Sequence, residues 1–253
     1  MKPQLQTEAW REVDAVLRAR RSVRAYRPDP VPRDTVLDIL SVATAAPSNS
    51  NTQPWCVHAL TGAPLKTLSE ELVAAFRRGD FSPATHFPDP LPSALGARQA
   101  DFALRYYRTL GIDRTDAPAR AAQTERNYSF FGAPVGLVFG IDARLNPHSW
   151  LDLGLYIQSV MIAAKARGID TCPQVSLAPF HAVIAPHLRM PPEVITVCGM
   201  AMGFGDPEAE VNRMGMPRQG VEEFVHLAGF DAPCPAAAPP RHSHALPSTR
   251  SGA

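Results

Sequence analysis

Long apolar runs are missing from this 253-residue chain; the best candidate, Val160 to Ala164, is cut by Lys165, far short of the roughly 18 residues a membrane span needs. A soluble protein is expected. Excess charge of one sign is missing too: 25 basic residues face 24 acidic ones, which leaves no broad field for gripping a nucleic acid. The four cysteines, Cys56, Cys172, Cys198 and Cys234, form no C-x-x-C pair, which argues against zinc and dithiol chemistry and for reduced, mostly buried thiols. The N-terminus has no apolar signal core, and Glu8, Glu12 and Asp14 stand where a mitochondrial presequence avoids acids, so the cytoplasm is the expected compartment. No repeat, nucleophile elbow or triad signature is present. Gly203-Phe204-Gly205 is followed by Asp206-Pro207-Glu208, which neither completes a dinucleotide fingerprint nor opens a helix. His242-x-His244 lies in a tail of Ala, Pro, Ser and His, and no metal site is expected. Reactivity, if any, must then reside in a cofactor.

What is present is enough for one sizeable core, with 45% hydrophobic residues. The 26 prolines are about twice the average usage of roughly 5% and cluster at 83–92 and 233–247. One domain is expected over 1–230, with a lid or insertion region at 79–131 and a flexible tail at 231–253.

Apolar periodicity predicts an amphipathic helix over 8–20, with Trp10, Val13, Val16 and Leu17 on one face. A second helix follows, capped by Asp34, with Val36, Leu37, Leu40 and Ala43 inward. Trp55 to Leu60, Val135 to Ile141 and Glu193 to Met202 read as strands; 64–77 reads as a helix, 79–92 as a surface flap, and the helix 99–110 and the segment 119–131 as the flap's continuation. Trp150 to Arg167, closed by Gly168, reads as a long helix burying Leu151, Leu155, Ile162 and Ala166. Alternating helices and strands imply a sheet covered by helices, with strand direction left open.

Two segments carry chemistry. Arg20, Arg21 and Arg24 with Ser22 concentrate guanidinium groups and a hydroxyl at a helix end, which suits a phosphate and equally suits solvated cations stabilised by the helix dipole. Ser48-Asn49-Ser50-Asn51-Thr52-Gln53, stiffened by Pro47 and Pro54, offers donors and acceptors together for a heteroaromatic edge, or forms an Asx-rich turn that needs no ligand.

The order Arg20-Arg21-Ser22-Val23-Arg24-Ala25-Tyr26, then Ala46 through Trp55, resembles the FMN-dependent nitroreductase family. The resemblance continues through Gly132-Ala133-Pro134-Val135, Gly168 to Gln174, Gly199 to Gly205, Pro217-Arg218 and Val221 to Phe224, and covers about 10–230. It implies an α+β fold, a three-layer α/β/α sandwich with a central mixed sheet, in an intertwined homodimer with FMN at the interface. It implies further that Arg20, Arg21 and Ser22 hold the FMN phosphate and ribityl chain and that Arg24 approaches the N1/O2 edge. Pro47, Ser48, Ser50 and Asn51 of the second copy would line the ring. Pro173, Gln174, Val175 and Ser176 match the loop near N5 and O4, Arg126-Asn127 falls near the position that reads the N3 edge, and Arg218 matches a phosphate-binding arginine. Val175 replaces a familiar glutamate, and Met216 a basic residue for which Arg213 is the available substitute.

No protein residue is then catalytic in the narrow sense, because the chemistry belongs to FMN N5. NADH or NADPH donates and leaves, and a flat aromatic substrate takes its place in a ping-pong cycle that carries nitro to nitroso to hydroxylamine. Phe81, Phe87, Tyr106 and Tyr107 are the lid residues expected over the substrate, with Phe130 and Phe131 packed beneath. Arg98 or Arg105 would either pair with a substrate carboxylate or stay solvated. Alternatives are a same-fold flavoenzyme acting on enones, halogenated aromatics or reduced flavin, and a non-catalytic flavin-binding protein.

Overall fold

The computed structural model describes residues 8–82 and 91–230. They fall into two units, 8–215 and 216–230, divided before the compositional boundary at 230. Phe87, Cys234, His242 and His244 lie outside the described residues.

In chain order the larger unit contains α1 (Ala9–Ala19), α2 (Arg33–Ala43), β1 (Cys56–Thr61), α3 (Gly62–Arg78), α4 (Ser93–Thr109), α5 (Ala117–Glu125), β2 (Val135–Asp142), α6 (Pro147–Ala166), β3 (Asp170–Gln174), α7 (His181–Leu188), β4 (Val194–Gly203) and α8 (Glu210–Arg213). The sheet order is β1-β2-β4-β3, and all three ladders are antiparallel. The parallel component of the expected mixed sheet is a single bridge, Ser22 to Thr171, at the β3 edge.

Side chains alternate across a strand, and β2 uses both faces. Val135, Leu137, Phe139 and Ile141 join Cys198, Met200 and Met202 in a core closed by α2 and α6. Val138 and Ala201 face the other core, closed by α3, α7 and the aromatic pair Phe130 and Phe131. The three layers follow from this partition. A Cβ at Gly136 would lie 2.6 Å from Leu65 Cδ1 and 2.9 Å from Phe130 Cε1, so glycine lets α3 and the aromatic segment close on the sheet.

Several local expectations change. Pro32, not Asp34, occupies the N-cap of α2, and no side chain caps it; Asp34 sits in the first turn, where its charge suits the helix dipole. Leu37 faces outward and Ile39 is buried in its place. On α6 the expected inward set is out of phase: Leu151 and Leu155 are exposed, as is Ala166, while Ile162 is half-buried. Leu153, Tyr156, Val160, Ala163 and Ala164 are buried instead. Helix α4 starts at Ser93 rather than 99. After α5 the chain forms a 3-10 stretch, Arg126–Gly132, in which buried Phe130 and Phe131 adopt left-handed φ of 50° and 55°, a strained conformation held by the core around it. Neither β3 nor α7 was expected from the pattern.

In the smaller unit, Val221–Glu223 form one 3-10 turn, with the Gly220 N–H donating to Glu223 Oε1 at 2.8 Å. Among the described residues no helix is long and apolar enough to cross a membrane.

Candidate functional site

Arg20 ends α1 in extended geometry, and the chain beyond it is laid against the sheet edge. The Val23 N–H donates to the Thr171 carbonyl at 3.1 Å and the Arg27 N–H to Phe204 at 2.9 Å. An extended segment sends successive side chains to opposite sides. Arg20, Ser22 and Arg24 all bear on Cys172, whose thiol burial pushes up against the charges of Arg24 and Arg20 and a Ser22 hydrogen bond. Arg21 goes the other way and lines a cavity of ≈ 290 Å³ with Lys165, Asp170, Gly205, Asp206 and Arg213. The expected arginine cluster is therefore divided between two sides.

The main organiser of this segment, Asn212, is buried and gave no signal in the sequence. Its Oδ1 accepts from the Arg24 N–H at 2.8 Å, its Nδ2 donates to the Ala25 and Asp206 carbonyls, and its carbonyl accepts from Arg21 Nη1 at 2.9 Å. Nearby, Lys165 Nζ lies 2.8 Å from Asp170 Oδ1, and the second Asp170 oxygen accepts from the Gly205 N–H at 3.3 Å.

Arg24 reaches the lid helix. Its guanidinium lies 5.4 Å from the Phe102 ring centroid and 5.2 Å from that of Tyr106, within range of a cation–π contact. Gln123, buried on α5, donates to the Tyr106 hydroxyl at 2.6 Å. Burial holds that hydroxyl's pKa above its usual value, opposed by the Gln123 bond and by the charges of Arg24 and Arg126. Phe102 and Gln123 were missed because a helix-borne Phe and Gln read as packing and surface.

At the end of β3, Gln174 is buried; its Nε2 donates to the Asn127 carbonyl at 2.7 Å, yet its Oε1 and the Ser176 Oγ are buried without partners. Pro173 is half-buried and Val175 is 46% exposed between them. Buried polar atoms are normally satisfied, so this pair marks a place for a polar ligand edge.

Backbone and side-chain hydrogen bonds hold the 48–53 knot. The Asn49 N–H donates to Asp152 Oδ2 at 3.1 Å, and the Gln53 N–H donates to Ser48 Oγ at 3.0 Å. Ser50, Asn51 and Gln53 all have left-handed φ, from 50° to 59°, and Pro47, Ser50 and Asn51 are exposed. Among the described residues no hydrogen bond, ion pair or ring contact joins the knot to the Arg20–Arg24 segment of the same chain.

The lid candidates separate. Phe81 is 52% exposed and stands 5.4 Å from the Phe180 ring. Tyr107 points away from Arg24, under the Arg120 guanidinium at 4.9 Å. Arg105 is tied to Asp101 at 2.8 Å, and Arg98 is exposed. In the smaller unit Arg218 donates to the carbonyls of Met216 and Pro217 at 3.2 and 3.1 Å. Arg213 is engaged by Glu208 at 2.9 Å.

A three-layer α+β fold with fixed arginines at a helix end and unsatisfied polar groups at a strand end defines a receptor for a phosphorylated, flat ligand. The chain belongs to the nitroreductase family, whose family model matches residues 17–205. It is 44% identical to a 4-nitrobenzoate reductase of Pseudomonas putida over 220 residues, 87% of this chain and 97% of the relative. It is 39% identical to a chloronitrobenzene nitroreductase of Comamonas testosteroni, across 84% and 95% of the two chains. Among solved structures, the FMN-dependent nitroreductase NfnB from Mycobacterium smegmatis, in complex with NADPH, superposes with a TM-score of 0.84 at 31% identity, covering 87% of this chain and 100% of that one.

Proposed function

We propose that this chain is an FMN-dependent NAD(P)H nitroreductase that reduces nitroaromatic compounds and works as a homodimer in the cytoplasm, where its nicotinamide donor is supplied. The observation that carries the reading is the half-buried Arg20 guanidinium, which makes no hydrogen bond or ion pair among the described residues, in a segment that also fixes Arg24. FMN fits this donor set: its phosphate requires cations, and its polar ring edge requires partners such as Gln174 Oε1 and Ser176 Oγ. The family relationship and the NfnB likeness support the same cofactor.

Bound FMN supplies two-electron transfer between the nicotinamide and the nitro group. The chain does the rest. Arg20 and Ser22 would hold the phosphate and ribityl chain, while Arg21, turned to the other side, ties the segment to the Asn212 carbonyl. Arg24, a guanidinium braced by two rings, would offer a preorganised positive charge to the N1/O2 edge of the ring. Pro173, Gln174, Val175 and Ser176 would line the N5/O4 edge, and Arg126 would serve the N3 edge. Pro47, Ser48, Ser50 and Asn51 of a second copy would line the ring from the other side. Phe81 and Phe87 would belong to the substrate-covering region. A homodimer is supported by the outer faces of α1, α2 and α6, which leave Trp10, Val13, Leu17, Leu37, Leu151 and Leu155 exposed.

The test is a visible absorption spectrum of the purified protein, taken anaerobically before and after NADH or NADPH. A flavin band that bleaches with donor and returns with a nitroarene is expected. A colourless protein that takes up no added FMN would remove the function.

A further inference from the structure

Outside α4, on the face turned away from Arg24, lies a cavity of ≈ 840 Å³. Its walls are Ala100, Ala103 and Leu104 of α4, Ile112 of the following turn and the ring of Tyr107. Three arginines, Arg108, Arg114 and Arg120, meet at it, against two aspartates that are already engaged. Asp101 is paired with Arg105, and Asp113 accepts from the Thr115 N–H and hydroxyl. The side chains of Arg108 and Arg114 are exposed and make no hydrogen bond or ion pair among the described residues.

Arg120 is the informative member. Its guanidinium covers one face of Tyr107 at 4.9 Å, and its Nη1 donates to the Arg114 carbonyl at 3.2 Å. Its Nε is buried with no partner. A guanidinium carries five donors in a fixed fork, and a buried charged donor left unsatisfied is unfavourable until an acceptor, most effectively an anion, arrives. Apolar walls, an aromatic face and an unsatisfied guanidinium together select a flat ring that carries an anionic group.

We propose that this cavity is a binding site for an aromatic ring bearing an anionic substituent, with Arg120 as its anchor, Arg108 and Arg114 as flanking cations and Tyr107 as its aromatic wall. Two sources share that chemistry: an aromatic carboxylate, and the 2′-phosphoadenosine end of a phosphorylated nicotinamide donor. The site takes from the functional reading only that the protein handles such ligands. Binding is therefore measured apart from turnover.

The experiment titrates the flavin-loaded protein with benzoate and, separately, with adenosine 2′-monophosphate, followed by saturation-transfer NMR. Binding of at least one probe is expected, weakened about tenfold or more in Arg120→Gln, the loss of one charge-assisted contact. Because Arg120 packs on Tyr107, the exposed Arg114→Gln serves as the second variant, with roughly threefold weakening from a flanking charge expected. Benzoate binding that responds to both variants identifies the carboxylate source; adenosine 2′-monophosphate binding that responds identifies the phosphate source. Failure of both probes to bind, or affinities unchanged in both variants, overturns the proposal and leaves flavin binding and nitro reduction untouched.

Discussion

At the scale of single residues the site rests on charges and on absent side chains. Among the described residues the Arg20 side chain makes no hydrogen bond or ion pair, so Arg20→Ala would remove the proposed phosphate contact without breaking such a bond; a charge-assisted hydrogen bond of this kind contributes about 1.5–3 kcal/mol. FMN affinity, followed by quenching of flavin fluorescence on titration into apoprotein, is expected to fall roughly tenfold or more. An unchanged dissociation constant would take Arg20 out of the site. Gly205 matters through what it lacks, since a Cβ there would lie 2.7 Å from Asp170 Oδ2 and 3.1 Å from Val23 Cγ1. Gly205→Ala must push Asp170 from Lys165 and strain the arginine segment, at about 1–3 kcal/mol, read as a lower denaturant midpoint; an unaltered midpoint would show that the turn yields freely. Burial pushes the Cys198 thiol up to about 12, from an ordinary value of 9.0. The folded state keeps that proton where the unfolded chain releases it, so the stabilisation is full below about pH 9 and is lost as pH rises towards 12. Cys198→Ala, whatever its packing cost, should flatten that alkaline decline; an identical slope in both proteins would contradict the assignment.

At the scale of elements, legibility follows the strength of a single period. Strands β1, β2 and β4 stood out because continuous apolar runs end at turn residues, and α1 and α3 because their patterns are helical. Strand β3 did not, because Asp-Thr-Cys-Pro-Gln shows no alternation and owes its pairing with Gly199 to Gly203 to β4. Helix α6 was found but its face was misread: it is apolar nearly all round, so periodicity cannot choose between the two faces. Arg20, Ser22 and Arg24 were legible as a motif, whereas Asn212, Asp152 and Gln123 act through tertiary contacts that one sequence does not display. The bracing of Arg24 by α4 is such a contact, and it is testable. Tyr106→Leu removes one of two cation–π partners, an interaction worth about 0.5–2 kcal/mol, and releases Gln123. If Arg24 sets the charge environment of the flavin, the reduction potential of bound FMN shifts to more negative values while occupancy stays high. An unmoved potential would make the ring contacts mere packing.

At the scale of the whole molecule, the two candidate halves of the site pose a geometric problem that the chain does not solve alone. The arginine segment and the 48–53 knot make no hydrogen bond, ion pair or ring contact with each other among the described residues, yet both have the chemistry of a flavin site. The knot is pinned to α6 through Asp152, and α6 also carries outward-facing Leu151, 64% exposed, and Leu155. Helices α1 and α2 add Trp10, Val13, Leu17 and Leu37, so these exposed apolar residues lie on elements that lead into the arginine segment and the knot. Scattered apolar residues are ordinary on a surface, but such a set on packed neighbouring helices calls for a covering partner. The proposed homodimer would cover it with a second copy and bring a knot to each arginine segment. Leu151→Asp places a charge in that interface while leaving the core of α6 intact. Sedimentation should show a dimer for the parent protein and a monomer for the variant, with flavin lost alongside the partner. A variant that is monomeric but fully flavin-loaded would place the knot outside the site, and a monomeric parent would leave the apolar helix faces to another partner.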